Sequence, residues 1–261
     1  MALLQNLRKT IDYQSLGYVR EMVYATKAKM GRHHHEKRFV IFGRGRSGST
    51  LLVDLLNSSE EIFCDTEILN RPVFSIFRHI ENCSKMHASR IYGFKLLSYQ
   101  IQSVHKLSDP DAFLQHLVND LDYKMIYLTR KNLLRQTLSK RYATFRNSWH
   151  EKGGQIERPK MIVDIPLLLK KLDEGHQLGL YEEMRMNKLN HLALTYEDDL
   201  SEPARQIDTV NKIADYLETK RFQTKTNLKK ITSDSFADFI ENYEEMAAAL
   251  ENTRYQKYLA E

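Results

Sequence analysis

The chain has 261 residues, of which 42% are hydrophobic and 28% are charged. This apolar content is enough to form a core, which excludes a disordered or fibrous protein, and the length suits one large domain or two small ones. Two cysteines, Cys64 and Cys83, are too few for a disulfide framework or a cysteine zinc site, so we expect a cytoplasmic protein. No apolar stretch approaches the roughly 18–20 residues that cross a bilayer, so no transmembrane segment is expected.

The formal net charge of +5 comes from the amino-terminal segment. Residues 1–38 contain eight basic and three acidic residues, whereas the rest of the chain is neutral overall, so we expect no nucleic-acid partner. Apolar residues recur in this segment at helical spacing, at Leu3, Leu4, Leu7, Ile11, Leu16, Val19 and Val23. The pattern predicts two basic helices that either rest on an anionic membrane or pack on the domain. Lysines that alternate with tyrosines and alanines favour packing.

The hydrophobic pattern of the remaining chain predicts strands that alternate with helices. Strands are predicted at residues 38–43, 91–97, 124–129 and 191–196, and helices at 49–57, 109–121, 132–145, 165–189 and 203–218. This alternation indicates right-handed crossovers and a parallel sheet, with ligands at the carboxyl ends of the strands. The predicted fold is therefore an α/β domain at 38–261, a parallel sheet flanked by helices, with a helical extension at 1–37.

A long polar segment and a run of three histidines are two further features of the sequence. The polar residues 146–165 include Trp149 and predict a long loop, either a lid over an acceptor or an ordinary surface loop. The adjacent His33, His34 and His35 point in different directions and have no acidic or cysteine partners that repeat nearby, so a chance run is favoured over a metal site.

A glycine-rich loop follows the first predicted strand and precedes a helix. It runs from Gly43 to Thr50 with the sequence GRGRSGST. Small residues let backbone N–H groups converge on a phosphate, and the amino terminus of the helix adds the positive end of its dipole. Two arginines and three hydroxyl groups also converge at the helix start, so the loop predicts an anion site.

The loop departs from the ATPase pattern G-x-x-x-x-G-K-[ST] at a position that matters. Gly43, Gly48 and Thr50 fit this pattern, but Ser49 replaces the lysine that reaches the terminal phosphates of ATP. The strand at 124–129 ends in Arg130, where an ATPase would place an acid that helps to hold magnesium. Both departures indicate an anion site without a required metal.

Four segments of the chain resemble motifs of the sulfotransferase superfamily and occur in the same order as in that family. Its members have a P-loop-like fold and use 3′-phosphoadenosine 5′-phosphosulfate (PAPS) as donor. The loop residues Arg46, Ser47, Gly48, Ser49 and Thr50 resemble its 5′-phosphosulfate loop, and residues 126–139 resemble its 3′-phosphate motif. Residues 195–200 (TYEDDL) resemble a tyrosine-glutamate-aspartate segment, and residues 227–232 (NLKKIT) a basic stretch near the end. The resemblance covers roughly residues 38–245.

The resemblance implies a role for each of these segments in holding the donor. The loop would stabilise charge on the 5′-phosphate as adenosine 3′,5′-bisphosphate leaves. Arg130, Ser139 and Lys230 would hold the 3′-phosphate, and Tyr196 would lie by the adenine. The interval from Arg130 to Ser139 is one residue longer than in many members, which implies a small insertion.

A hydroxyl acceptor needs a general base, and the resemblance directs attention to Glu67. Cytosolic members use a histidine two positions after a strand lysine, but Lys95 is followed by two leucines. A branch with bacterial and carbohydrate-modifying members uses a glutamate after the loop helix, and the segment CDTEIL at 64–69 matches this placement. Glu67 is therefore the expected base, Asp65 the alternative, and Lys95 a further catalytic residue that meets the sulfonate or the bridging oxygen.

The expected function is sulfuryl transfer from PAPS to a hydroxyl or amine of a small molecule, saccharide or glycolipid. Two alternatives stay open: a P-loop kinase or NTPase, and a non-catalytic module whose basic amino terminus holds a membrane or a partner. The sequence predicts no particular oligomeric state.

Overall fold

A computed structural model describes residues 13–29, 31, 33–147, 151–152, 159–229, 232–233 and 235–259. Its centre is a five-stranded parallel sheet with the order β2-β3-β1-β4-β6. These strands are β1 (Lys37–Gly43), β2 (Ile62–Asp65), β3 (Ile91–Leu97), β4 (Tyr123–Thr129) and β6 (His191–Thr195). A separate antiparallel pair joins β5 (Glu151–Lys152) to β7 (Leu228–Lys229). The prediction of a parallel α/β sheet flanked by helices is confirmed.

Helices cover both faces of the sheet. They are α1 (Tyr13–Ala28), α2 (Ser49–Leu56), α3 (Ile76–Ser84), α4 (Pro110–Gln115), α5 (Leu133–Phe145), α6 (Ile165–Met186), α7 (Pro203–Tyr216) and α8 (Tyr243–Leu250). Alternate residues of β1 point to opposite faces, so Val40 and Phe42 join one core while Phe39 and Ile41 join the other. Because β1 is central and buried on both faces, the loop that follows it lies in the middle of the carboxyl edge of the sheet.

Several elements were not predicted from the sequence. The edge strand β2 has only four residues, and α3 has no strong start signal. The predicted helix at 109–121 is α4 continued by a π-helical turn, His116–Asp120. Two more π-helical turns lie at the carboxyl edge of the sheet, where ligands bind in such folds. The turn Gln100–Val104 lies shortly after β3, and the turn Tyr196–Leu200 directly follows β6.

The described part of the amino-terminal extension is helical and packs on α3. Glu21 of α1 is 7% exposed and its carboxylate accepts hydrogen bonds from the backbone N–H groups of Phe74 and Ser75, at 2.6 and 3.1 Å. The rings of Tyr18 and Phe74 stack with centroids 4.0 Å apart. Of the two helices predicted here, the first lies outside the described residues. Within the described part of the chain, no helix is long and apolar enough to cross a membrane.

The packing of β3 against β1 generates a first prediction. A Cβ atom on Gly93 would lie 2.2 Å from the ring of Phe39, which is fully buried. We therefore expect Gly93→Ala to destabilise the protein by about 1–3 kcal/mol, because the ring must leave its place in a close-packed core. Urea unfolding measures this change. Adding Phe39→Leu makes room, so the double variant is expected to lose less than the sum of the single losses; an additive result would contradict the proposed contact.

Candidate anion and transfer site

The loop after β1 adopts a conformation that favours glycine at one of its positions. Gly48 has φ 86°, and a Cβ atom there would lie 2.6 Å from the ring of Tyr196. Arg46 also has a positive φ, 65°, which costs a residue with a side chain roughly 1–2 kcal/mol. Such strain persists where the surrounding structure fixes the backbone, and it is common at functional sites.

The first turn of α2 differs from the first turns of α4, α5 and α6. In those helices, the side chains of Asp109, Asn132 and Asp164 accept a hydrogen bond from a first-turn N–H. At the start of α2 stands Gly48, which has no side chain to do so, and no cap bond is made there within the described residues. Among the described residues, the helices α3, α7 and α8 also lack such a cap bond, but α2 is the one that follows the glycine-rich loop, where the free N–H groups of a first turn suit an anion.

Two arginines from different elements meet beside this helix start. Arg46 of the loop donates from Nε to Ser139 Oγ on α5 at 3.0 Å, and Arg130 donates from Nη1 to the backbone oxygen of Arg46 at 3.2 Å. Burial and the positive charge of Arg130 lower the pKa of Arg46 to about 10. The environment thus disfavours the charge on Arg46, and an anion bound between the two groups would offset this cost.

The segment that resembles the tyrosine-glutamate-aspartate motif packs around Arg130. The guanidinium carbon of Arg130 lies 4.7 Å from the centroid of the Tyr196 ring. The carboxylate of Glu197 accepts from the backbone N–H groups of Lys131 and Asn132 at 2.8 and 3.2 Å, and lies 3.5 Å from Arg130 Nε. Glu197 therefore fixes the turn from which Arg130 projects, a contact that the sequence analysis did not identify.

The two predicted catalytic residues lie in direct contact. Lys95 Nζ is 3.0 Å from Glu67 Oε1 and donates to Thr50 Oγ1 at 3.2 Å. Tyr99 and Gln100 donate to Glu67 Oε2 at 2.8 and 3.2 Å. The Lys95 side chain is 5% exposed and the Glu67 side chain 27%. A carboxylate that solvent can reach is thus connected through a buried lysine to the anion loop.

Asp65, the alternative base, occupies a different place. It pairs with Phe94 on the face of the sheet opposite Lys95, and its carboxylate accepts from the hydroxyl of Tyr92 at 2.8 Å. Burial raises the pKa of Asp65, although the hydrogen bond from Tyr92 and the nearby His87 counteract the rise. Asp65 therefore does not join the cluster of Glu67, Lys95 and Thr50, and the geometry favours Glu67.

Arg44, one of the two loop arginines, points away from the loop. Its Nε lies 3.0 Å from Glu182 Oε2 on α6, and its Nη1 donates to the backbone oxygen of Gly175 at 2.6 Å. Glu182 is fully buried and also accepts from Ser98 at 2.5 Å, just after β3. Arg46 is thus the loop arginine at the anion site, and Arg44 anchors the loop to α6. Glu182 was missed because a lone acid in a helix carries no distinctive sequence signal.

Some predicted residues cannot be located in this way. Lys230 and Trp149 lie outside the described residues. The strand β7 ends at Lys229, the residue before Lys230. Among the histidine run, His35 lies with its two ring nitrogens 2.8 and 2.9 Å from the backbone oxygens of Ser89 and Ser84. Within the described part of the chain, no three His, Cys, Asp or Glu side chains come together as a metal-binding group.

A cleft of about 800 Å³ lies between the π-helical turn Gln100–Val104 and α6. Gln100, the first residue of that turn, bonds to Glu67, and Gly175 of α6 bonds to Arg44. Its lining carries amide, carboxylate, ammonium and phenol groups, from Gln102, Lys170, Asp173, Glu174, Gln177 and Tyr181. Its lining residues lie on elements next to the cluster, but they do not include Glu67, Lys95 or Thr50.

Comparison with solved structures finds a protein of the same fold. The chain matches a sulfotransferase from Alicyclobacillus acidocaldarius with a TM-score of 0.50 and 11% sequence identity, over 87% of this chain and 96% of that chain. No protein-family model matches the chain, and no curated protein does so. The molecule therefore has the α/β fold of a sulfotransferase, a P-loop-like arrangement of a parallel sheet flanked by helices.

The buried pair of Arg44 and Glu182 generates a second prediction. In Arg44→Met, the carboxylate of Glu182 loses its cation, which we expect to cost about 3 kcal/mol of stability at pH 7. Burial already raises the pKa of Glu182, so the carboxyl group of the variant takes up a proton readily as the pH falls. The loss is therefore expected to be smaller at pH 5 than at pH 7 in urea unfolding.

A double variant tests the cause of this loss. Glu182→Gln in the Arg44→Met background removes the unpaired charge and is expected to recover much of the stability at pH 7. If the double variant is as unstable as Arg44→Met at both pH values, the loss does not come from the buried carboxylate.

Proposed function

We propose that the protein is a PAPS-dependent sulfotransferase, with residues 38–261 as the transferase domain and 1–37 as its extension. The observation that carries the proposal is the convergence of two sets of groups at one edge of the sheet. One set consists of the α2 start with Arg46 and Arg130, which suits a phosphorylated nucleotide. The other is the contact between Glu67 and Lys95, which suits proton transfer from an acceptor.

The residues at the loop fit a donor that carries phosphate at two positions. Backbone N–H groups of Ser49 and Thr50, the hydroxyls beside them and Arg46 would hold the 5′-phosphosulfate end. Arg130 and Ser139 would hold the 3′-phosphate, with Lys230 as a further candidate from the sequence. Tyr196 would lie by the adenine. The hydrogen bond from Arg46 to Ser139 supports this assignment, because it places a residue of the proposed 5′ subsite beside a residue of the proposed 3′ subsite.

The chemistry assigned to the chain is general-base catalysis with stabilisation of a leaving phosphate. Glu67 would accept the proton of the acceptor hydroxyl or amine as the new S–O or S–N bond forms. Lys95, placed between Glu67 and Thr50, would donate towards the oxygen whose bond to sulfur breaks. Arg46 and the N–H groups of the loop would offset the negative charge that develops on the 5′-phosphate. In this scheme the residues supply the required charges without a metal.

The acceptor is proposed to enter through the cleft between the Gln100–Val104 turn and α6. Tyr99, whose hydroxyl bonds to Glu67, immediately precedes this turn and is 39% exposed. The lining side chains can donate and accept hydrogen bonds, while most of the surface that they expose is apolar, so the cleft suits a molecule with both hydroxyl groups and apolar faces. A saccharide, a glycolipid headgroup or a small polyhydroxylated molecule fits this description.

The kinase or NTPase alternative receives less support from the same residues. Ser49 lies where an ATPase lysine would extend, and Arg130 follows β4 where a magnesium-binding acid would stand. A purely non-catalytic module is also less favoured, because the partly exposed carboxylate of Glu67 beside Lys95 suits proton transfer in addition to charge pairing.

The proposed base leads to a third prediction. Glu67→Gln is expected to lower kcat by about 10²–10⁴-fold, because the amide cannot accept the proton, while the affinity for adenosine 3′,5′-bisphosphate stays within about two-fold. The measurement is transfer of labelled sulfate from PAPS to a panel of hydroxyl and amine acceptors. Asp65→Asn is the matched control and is expected to retain turnover. Full turnover of Glu67→Gln would remove Glu67 as the base.

The proposed 3′-phosphate contact leads to a fourth prediction. Arg130→Ala is expected to weaken binding of adenosine 3′,5′-bisphosphate by about 10–100-fold, as for the loss of a charge-assisted hydrogen bond. Lys131→Ala removes a neighbouring exposed lysine that pairs with Asp198 and serves as control, with affinity expected to change little. Equilibrium dialysis measures both. Equal affinities of Arg130→Ala and the unsubstituted protein would exclude the assignment.

A further inference from the structure

Helix α1 exposes apolar side chains and buries its only carboxylate among the described residues. Val19, Met22 and Val23 are 51%, 62% and 44% exposed, and their spacing of three and four residues places them on one face. Glu21 points the other way and caps the start of α3. A surface helix of a globular protein normally shows the reverse arrangement. The exposed apolar face of α1 therefore indicates that something else covers it.

Phe74, in the segment before α3, extends this apolar face. Its side chain is 69% exposed, and its ring stacks on Tyr18, which lies one helical turn from Met22. We define the α1 outer face as Val19, Met22, Val23 and Phe74. Single exposed hydrophobic residues are ordinary, but a group of four on adjoining elements is typical of an interaction site.

Within residues 13–29 the exposed charged side chains are basic. Within residues 13–29 the basic residues are Arg20, Lys27 and Lys29, and the only acid is the inward-facing Glu21. Lys27 and Lys29 are exposed. Residues 1–12 continue the same composition, with Arg8 and Lys9 against Asp12, and add Leu3, Leu4, Leu7 and Ile11.

We propose that the α1 outer face binds an anionic lipid surface. Apolar side chains of an interfacial helix enter the boundary between headgroups and acyl chains, while lysines at its flanks interact with acidic headgroups. A second copy of the chain would bring like charges together, and residues 1–12 carry more basic than acidic side chains, so their net charge does not complement this face. Apolar side chains flanked by lysines thus suit an anionic membrane better than they suit a second copy of the chain or residues 1–12.

Co-sedimentation of the full chain with lipid vesicles tests this proposal. We expect binding to vesicles of phosphatidylcholine mixed with phosphatidylserine, much weaker binding to phosphatidylcholine alone, and release by added salt. Val19→Asp combined with Met22→Asp is expected to lower the partition coefficient about ten-fold or more. Lys27→Ser combined with Lys29→Ser is expected to lower it by about five-fold for each lysine removed.

A matched control separates this face from general surface hydrophobicity. Ile207 on α7 is 52% exposed, a fraction similar to that of Val19, but it lies on a different helix. The variant Ile207→Asp is therefore expected to bind vesicles like the unsubstituted protein. Thermal unfolding of each variant shows that the fold is retained. Failure of the full chain to bind the mixed vesicles, or binding unaffected by the aspartates at 19 and 22, would overturn the proposal. A dimer in light scattering that dissociates only in that variant would instead identify a second copy as the occupant and equally overturn it.

Discussion

Two arginine side chains are held close together at the carboxyl edge of the sheet, and the organisation of the site follows from this. Arg46 comes from the loop after β1 and Arg130 from the end of β4, so neighbouring strands of the sheet determine their separation. Burial and like charge make this arrangement unfavourable for Arg46, whose pKa falls to about 10. The N–H groups at the start of α2 add further positive potential at the same place. An anion is the group that would stabilise all three features together.

Three glutamates around this positive centre have separate functions. Glu197 fixes the backbone of the turn after β4 and pairs with Arg130, and Glu182 holds Arg44 against α6, so both stabilise the positions of arginines. Glu67 differs because its carboxylate is partly exposed and contacts Lys95, which in turn bonds to Thr50 of the loop. The proposed base is therefore the glutamate that an acceptor could approach. If α1 also docks on lipid, acceptors carried by lipids would lie close to the protein.

The sequence predicted the elements that have strong local signals. The strand Ile91–Leu97 was predicted at its observed bounds, and the loop at 43–50 was located because glycines separate a β-branched strand from a leucine-rich helix. The edge strand β2 was missed because four residues carry too little periodicity. The contact of Glu67 with Lys95 was not predicted, because it depends on the pairing of β2 with β3 and on the turn after β2. The resemblance assigned Arg46 to the loop, whereas the direction of Arg44 could not be predicted because it is set by the buried Glu182 on α6.

The central claim is that this edge of the sheet binds an adenosine nucleotide through its 5′- and 3′-phosphates without a metal. Calorimetry in the presence of EDTA tests it most directly, by comparing adenosine 3′,5′-bisphosphate with adenosine 5′-monophosphate, which lacks the second phosphate. We expect the bisphosphate to bind at least about ten-fold more tightly, as for one charge-assisted contact, and EDTA to change neither affinity. Equal affinities for the two nucleotides, or binding that appears only with ATP and magnesium, would contradict the account.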